Sequence, residues 1–244
     1  MLEIIATTVE DAVLIEKGGA DRIELVSALS EGGLTPSYGI IQQTIQAVHI
    51  PVNVMIRPHS QGYNYSQEDM LCMIEDIKQA KTLGANGVVL GVLDAEGNVD
   101  MGKLDTLLQH CQGLEVTFHR AIEKTADILT ATRQLASTSI TRVLSSGGPG
   151  HAHENRDVLR EMQGILAEQN KKLLVGSGIN KDNCKAIVQA THAQEIHVGT
   201  AVRHGSTASG RIDLAAVQAL ANSGTVPKGD NRKFCVAKSP TTGQ

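Results

Sequence analysis

Short apolar runs and amphipathic stretches alternate eight times along this chain, and that alternation limits the fold more than any other feature of the sequence. The β-like runs fall at 2–6, 22–26, 52–57, 87–92, 114–119, 141–146, 172–177 and 195–200. Helical patterns follow them at 8–18, 36–48, 66–83, 100–110, 126–137, 154–169, 181–190 and 212–221. Strands that alternate one by one with helices build a parallel sheet, and eight of them close it. An open doubly wound sheet is the rival arrangement, usually with about five or six strands. The expectation is therefore an α/β chain folded as one parallel (β/α)8 TIM-type barrel over 1–221. The remainder, 222–244, is rich in Gly, Pro, Ser and Lys without periodicity and reads as an irregular or disordered tail.

The punctuation fits this division. Thr35-Pro36 reads as an N-cap followed by proline at the first helical position, and Ser66 precedes acids in the next first turn. Gly18-Gly19 and Gly84 stop helices just before strands.

A closed barrel requires apolar residues on the outer face of each strand, under the helices. In "LEVTFH" (114–119), Val116 and Phe118 must then point outward, leaving Glu115, Thr117 and His119 inside. The same parity turns Glu3, Glu24, Asn53, Met55, Arg57, Glu195 and His197 inward, with Arg142. Four carboxylates, two arginines and two histidines thus become candidates for one lumen. Buried charges are tolerated only when paired, so Glu–Arg and Glu–His networks are expected. Arg57 and His119 end their strands, where barrel enzymes keep their chemistry. Glu24 and the neighbouring Arg120 join them as catalytic candidates. Glu115 and Glu195 begin their strands, at the end of the barrel that serves stability.

The loops after strands seven and eight read "VGSGIN" and "VGTAVR". Backbone N–H groups of Gly176, Ser177, Gly178, Gly199 and Thr200 are candidates for an anion or phosphate pocket there, or are plain tight turns. Arg203 adds charge or is solvated. His151-x-His153-Glu154 has metal-type residues, yet it also has the form of a helix start and lacks further ligands. "DAEGNVD" (94–100) is too short for a calcium loop and reads as a turn.

A net charge of −4 gives no general attraction to nucleic acid or to anionic membranes. Trp is absent, and only Phe118, Phe234, Tyr38, Tyr63 and Tyr65 are aromatic, too few for base-stacking platforms. No apolar run approaches a membrane span, and the N-terminal stretch is acidic where a secretion signal is basic. A cytoplasmic protein is expected. Cys72, Cys111, Cys184 and Cys235 are scattered and read as buried small side chains.

Six stretches, "GGADRIEL", "EGGLTPSYG", "MIRP", "GVLDAEGNVD", "VTFHRA" and "RVLSSG", occur in order and together resemble the CutC family of copper homeostasis proteins. The resemblance implies a cytosolic TIM-type barrel, often a homo-oligomer, with copper(I) as a ligand. It ties copper to cysteines that end strands one and two. Ile5 and Val26 stand at the matching positions of this chain, and His59, Ser60 and Gln61 replace the arginine and glycines that usually follow "IRP". The reading of the lumen is different: an isomerase- or lyase-type enzyme on a small phosphorylated or anionic metabolite. There Arg57 neutralises an acidic group, His119 acts as general acid/base and Glu24 supports it. A scaffold with a purely structural polar core is the third possibility. No metal ligand set can be read from the sequence.

Overall fold

The computed structural model describes residues 1–223, so the expected tail lies outside the described residues from 224 onward. Eight parallel strands close into a barrel in sequence order. They are β1 (Leu2–Ala6), β2 (Arg22–Leu25), β3 (Val52–Met55), β4 (Gly87–Leu90), β5 (Glu115–Phe118), β6 (Arg142–Ser145), β7 (Lys172–Val175) and β8 (Glu195–Val198). The last strand pairs with the first, Ile4 opposite Val198, so no edge is left open.

The helices follow the strands as α1 (Val9–Lys17), α2 (Tyr38–Ala47), α3 (Gln67–Thr82), α4 (Met101–His110), α5 (Ile128–Ala136), α6 (Arg156–Glu168), α7 (Cys184–Thr191) and α8 (Leu214–Ala221). Outward strand residues such as Ile4, Ile23, Val54, Val88 and Val143 are fully buried beneath them. Each such side chain contributes roughly 1.5–3 kcal/mol, so the shell between strands and helices is the main apolar core.

Local signals set most helix starts. Ser66 and Asp69 cap α3 reciprocally, and Asp100 accepts from Lys103 N–H to start α4, with "DAEGNVD" forming the turn before it. Glu154 accepts the His151 N–H at 2.6 Å, closing a turn ahead of α6, which starts only at Arg156 and whose N-cap Asn155 makes no side-chain cap bond. The start of α2 departs from expectation. Ser37, not Thr35, is its cap, because Thr35 Oγ1 accepts the Arg57 N–H at 2.9 Å and Thr35 N–H donates to Arg57 O. Thr35 is thereby committed to the end of β3 and cannot also cap. A short 3-10 turn, Arg120–Lys124, precedes α5. Cys111 and Cys184 are buried as expected, but Cys72 is exposed on α3, and Cys235 lies outside the described residues.

Candidate active site at the barrel mouth

The lumen is polar in the way strand parity requires, and its charges alternate. Arg142 donates to Glu115 at 2.6 Å, to Glu195 at 3.0 Å and to Thr117 at 3.3 Å. Arg22 donates to Glu195 at 2.6 Å and to Glu3 at 2.5 Å. Glu3 also accepts from His197 Nδ1 at 2.8 Å, and His197 Nε2 lies 3.7 Å from Glu24. The series runs Glu115, Arg142, Glu195, Arg22, Glu3, His197, Glu24, from the floor of the barrel towards its mouth. Glu115 and Glu195 belong to this paired structural network. Arg22, not singled out from the sequence, is its centre.

The electrostatics differ along the series. Burial alone would raise the Glu3 and Glu195 carboxyls, but Arg22 outweighs it and holds both below the usual carboxylate range. Burial also opposes charge on His197, yet Glu24 and Glu3 prevail and raise it. Glu24 has no guanidinium of its own. Burial pushes its carboxyl up to about 7, and Oε1 has no hydrogen-bond partner.

Above Glu24 lies a cavity of about 830 Å³ at the C-terminal ends of the strands. Its walls bring together Glu24, Arg57, His119, Arg120, Ser177, Gly178, Gly199 and Thr200, residues expected to form the site. Gly176 is the exception. Its N–H donates to Ser145 O at 3.0 Å, continuing the β6–β7 ladder, so it is not available to an anion. The structure also brings in His197, Tyr63 and His151. His151 Nδ1 lies 3.1 Å from Ser177 Oγ, beside Gly178, where φ is +70° and a Cβ would strike the imidazole at 2.7 Å.

His119 is 4% exposed and sits against the Tyr63 ring at 5.1 Å between centroids. Its Nδ1 accepts the Ala121 N–H at 3.2 Å, which leaves the ring proton on Nε2. Burial and then the charge of Arg57 lower its pKa to about 3. The imidazole is neutral throughout the physiological range, which does not suit the acid/base role expected from the sequence. Gly91 makes room for it, since a Cβ there would fall 2.5 Å from the ring.

The remaining arginines divide sharply. Arg120 is clasped by Glu123, with Nη2 at 2.8 Å from Oε2, so its charge is compensated on the rim. Arg203 turns away to Asp11 at 2.9 Å and adds nothing to the cavity. Arg57 is 5% exposed and donates through Nη1 only to the carbonyls of Glu31 and Gly33.

Copper(I) favours thiolate and thioether ligands. At the positions where the family resemblance places cysteines, Ile5 and Val26 pack with Met55 and Val89 in a separate buried apolar cluster inside the barrel. Met55 offers one thioether and nothing joins it, so these residues do not fit a Cu(I) centre. Glu3, Glu24 and His197 bring ligand-type atoms within 4.8 Å of one another, but Glu3 and His197 already bond each other there, and Arg22 pairs with Glu3.

The CutC family pattern matches residues 1–202. A copper homeostasis protein cutC homolog from Homo sapiens is 41% identical over 200 residues, covering 81% of this chain and 72% of that one. A family protein CutC from Pasteurella multocida is 36% identical over 197 residues, covering 81% and 80%. The crystal structure of a CutC protein from Streptococcus agalactiae superposes with a TM-score of 0.77 at 31% identity, over 82% of this chain and 98% of that one. The chain belongs to the CutC family.

Proposed function

We propose that this member of the CutC family is an enzyme of the isomerase or lyase type, moving a proton next to a carbonyl in a small anionic metabolite held at the barrel mouth. The observation that carries this reading is Glu24, a buried carboxyl that titrates near neutrality, keeps one oxygen unpartnered and lines the cavity. A group poised in this way gives and takes a proton with little bias in either direction. In the first half-reaction Glu24 takes the proton from carbon, the C–H electron pair forms a C=C bond, and the C=O π pair moves to the carbonyl oxygen. The neutral His119 donates Nε2–H to that oxygen. In a 2-hydroxy carbonyl compound the hydroxyl proton passes to that oxyanion, the carbonyl re-forms at the former hydroxyl carbon, and Glu24 returns its proton to the former carbonyl carbon. His197, oriented by Glu3, lies beside Glu24 and stabilises its ionised form. The N–H groups of Ser177, Gly178, Gly199 and Thr200 are suited to a second polar group of the metabolite.

Copper enters only as a second reading, supported by the name of the human relative. With Ile5 and Val26 in the barrel, we expect any effect on copper to be indirect. The three described cysteines are free thiols, which supports a cytoplasmic protein, and no described helix is long and apolar enough to cross a membrane. The expectation of a homo-oligomer rests on the family resemblance alone.

Solvent exchange tests the reading directly. Carbonyl-bearing phosphorylated and carboxylated metabolites are incubated in D2O and followed by proton NMR. The wild type should exchange the hydrogen next to the carbonyl in at least one compound, and Glu24→Gln should not. Equal rates for the two proteins, or no exchange with any compound, would sink the proposal.

A further inference from the structure

Among the buried arginines, Arg57 is the exception. Arg22 faces Glu3 and Glu195, Arg142 faces Glu115 and Glu195, and Arg203 faces Asp11. Arg57 has no carboxylate partner among the described residues. Its two carbonyl contacts and the Tyr63 ring, 5.1 Å from the guanidinium carbon, fix its direction without cancelling its charge. Its Nε is buried and donates to nothing. Tyr65 beside it is kept neutral, since burial pushes the phenol up to about 12. A buried, uncompensated cation in a cavity wall is costly, and an anionic ligand would remove that cost.

We propose that Arg57, Tyr63 and His119 form a subsite for a monocarboxylate with an oxygen on the next carbon, a 2-oxo or 2-hydroxy acid. The charge count favours a carboxylate over phosphate. This corner holds one excess positive charge, and His119 adds none, so a single negative charge balances it and a phosphate dianion does not. A planar carboxylate also accepts two parallel bonds from a guanidinium. Tyr63 lies against both Arg57 and His119, at 5.1 Å in each case, so the two donors flank one ring. His119 Nε2 carries a proton and has no partner, which supplies the donor for the second oxygen. Met55 and Leu29 on the cavity wall accommodate a short alkyl portion. The subsite names the substrate class for the proton-transfer site proposed above, but its binding test does not depend on turnover.

The test is calorimetric titration of the full chain at neutral pH with pyruvate, lactate, propionate and inorganic phosphate. Pyruvate and lactate should bind and exclude each other. Propionate, lacking the second oxygen, should bind about tenfold more weakly, and phosphate should not displace pyruvate. Arg57→Lys, which removes the planar fork, should weaken pyruvate by about 30-fold or more. The competition series needs only unaltered protein, so it decides the matter even if that variant fails to fold. No binding of any carboxylate, or displacement of pyruvate by phosphate at lower concentration, overturns the subsite. Pyruvate binding without deuterium exchange in any compound leaves the subsite standing and removes the proton-transfer reading. Exchange confined to phosphorylated compounds without a carboxylate does the reverse.

Discussion

Glu3 accepts the Nδ1 proton of His197 at 2.8 Å, and this contact decides which imidazole nitrogen looks towards Glu24. Because Arg22 holds Glu3 ionised, Nδ1 carries a proton and Nε2 faces Glu24 Oε2 at 3.7 Å. One further proton is then distributed between His197 and Glu24, both of which are raised. The charged series below them ends in this pair. Glu115 and Glu195 are matched by Arg142 and Arg22, and Glu3 shares Arg22, so the remaining proton either charges His197 between Glu3 and Glu24 or neutralises Glu24.

The first prediction follows from the sign of that shift. Burial raises Glu24 from its ordinary 4.5 to about 7, so folding favours its protonated form. The contribution is fully present below about pH 4.5 and is lost as pH rises through about 7. His197, also raised, acts in the same direction. Glu3 and Glu195 are lowered and act oppositely, losing stability only as pH falls below the ordinary carboxylate range. Urea unfolding of wild type and Glu24→Gln across pH 4.5–8.5 separates these effects. The variant should gain on the wild type by about 3 kcal/mol over the window and stay level above it. A constant difference across the window would contradict the assignment.

Arg22→Met tests the lumen network. The substitution keeps volume but leaves Glu3 and Glu195 facing each other without their shared cation. Removing one partner of a buried network costs about 3–5 kcal/mol. Equilibrium denaturation should register that loss at neutral pH and a smaller one in acid, where the orphaned carboxyls take up protons. A loss near that of an ordinary surface substitution would mean that water reaches the network.

Strand parity made the polar lumen legible, because only a closed barrel forces Val116 and Phe118 outward and Glu115, Thr117 and His119 inward. The same count from Ile23 turns Arg22 inward, but nothing in the sequence marks it, rather than Arg142, as the cation shared by Glu3 and Glu195. Gly176 was misread for a related reason. The β7 ladder continues one residue past the strand, so a glycine that resembles a turn spends its N–H on Ser145. Tyr63 lies in a loop without periodicity, and no pattern links it to Arg57 and His119. The neutrality of His119 depends on burial and on Arg57 across the mouth, a spatial fact that residue type alone cannot supply.

Gly91→Ala probes how closely the mouth is fitted. The added methyl would meet the His119 ring at 2.5 Å and Ala121 at 3.2 Å. Both neighbours are buried, so the imidazole must rotate from Tyr63 or β4 must shift. Overpacking of this kind costs about 1–3 kcal/mol. The His119 ring-proton NMR signals should move, and pyruvate affinity should fall with them. Unchanged stability and spectra would show that the ring has room that the geometry denies.

Copper gives the last prediction. Ile5, Val26 and Met55 share one apolar cluster inside the barrel, so the wild type should fail to withdraw Cu(I) from a chromogenic chelator under anaerobic conditions. The double substitution Ile5→Cys and Val26→Cys converts two members of that cluster to thiols beside the Met55 thioether, and it should withdraw about one Cu(I) per chain. Loss of buried methyl groups should lower stability by about 2–4 kcal/mol in the copper-free variant, with copper restoring part of it through linkage. If the wild type withdraws copper as well and loses this ability when Cys72 is blocked, the site is on the exposed face of α3, and the barrel mouth has no part in it. Wild-type withdrawal that survives thiol blocking would move the ligands to histidine and methionine and would contradict the fit argued from Ile5 and Val26.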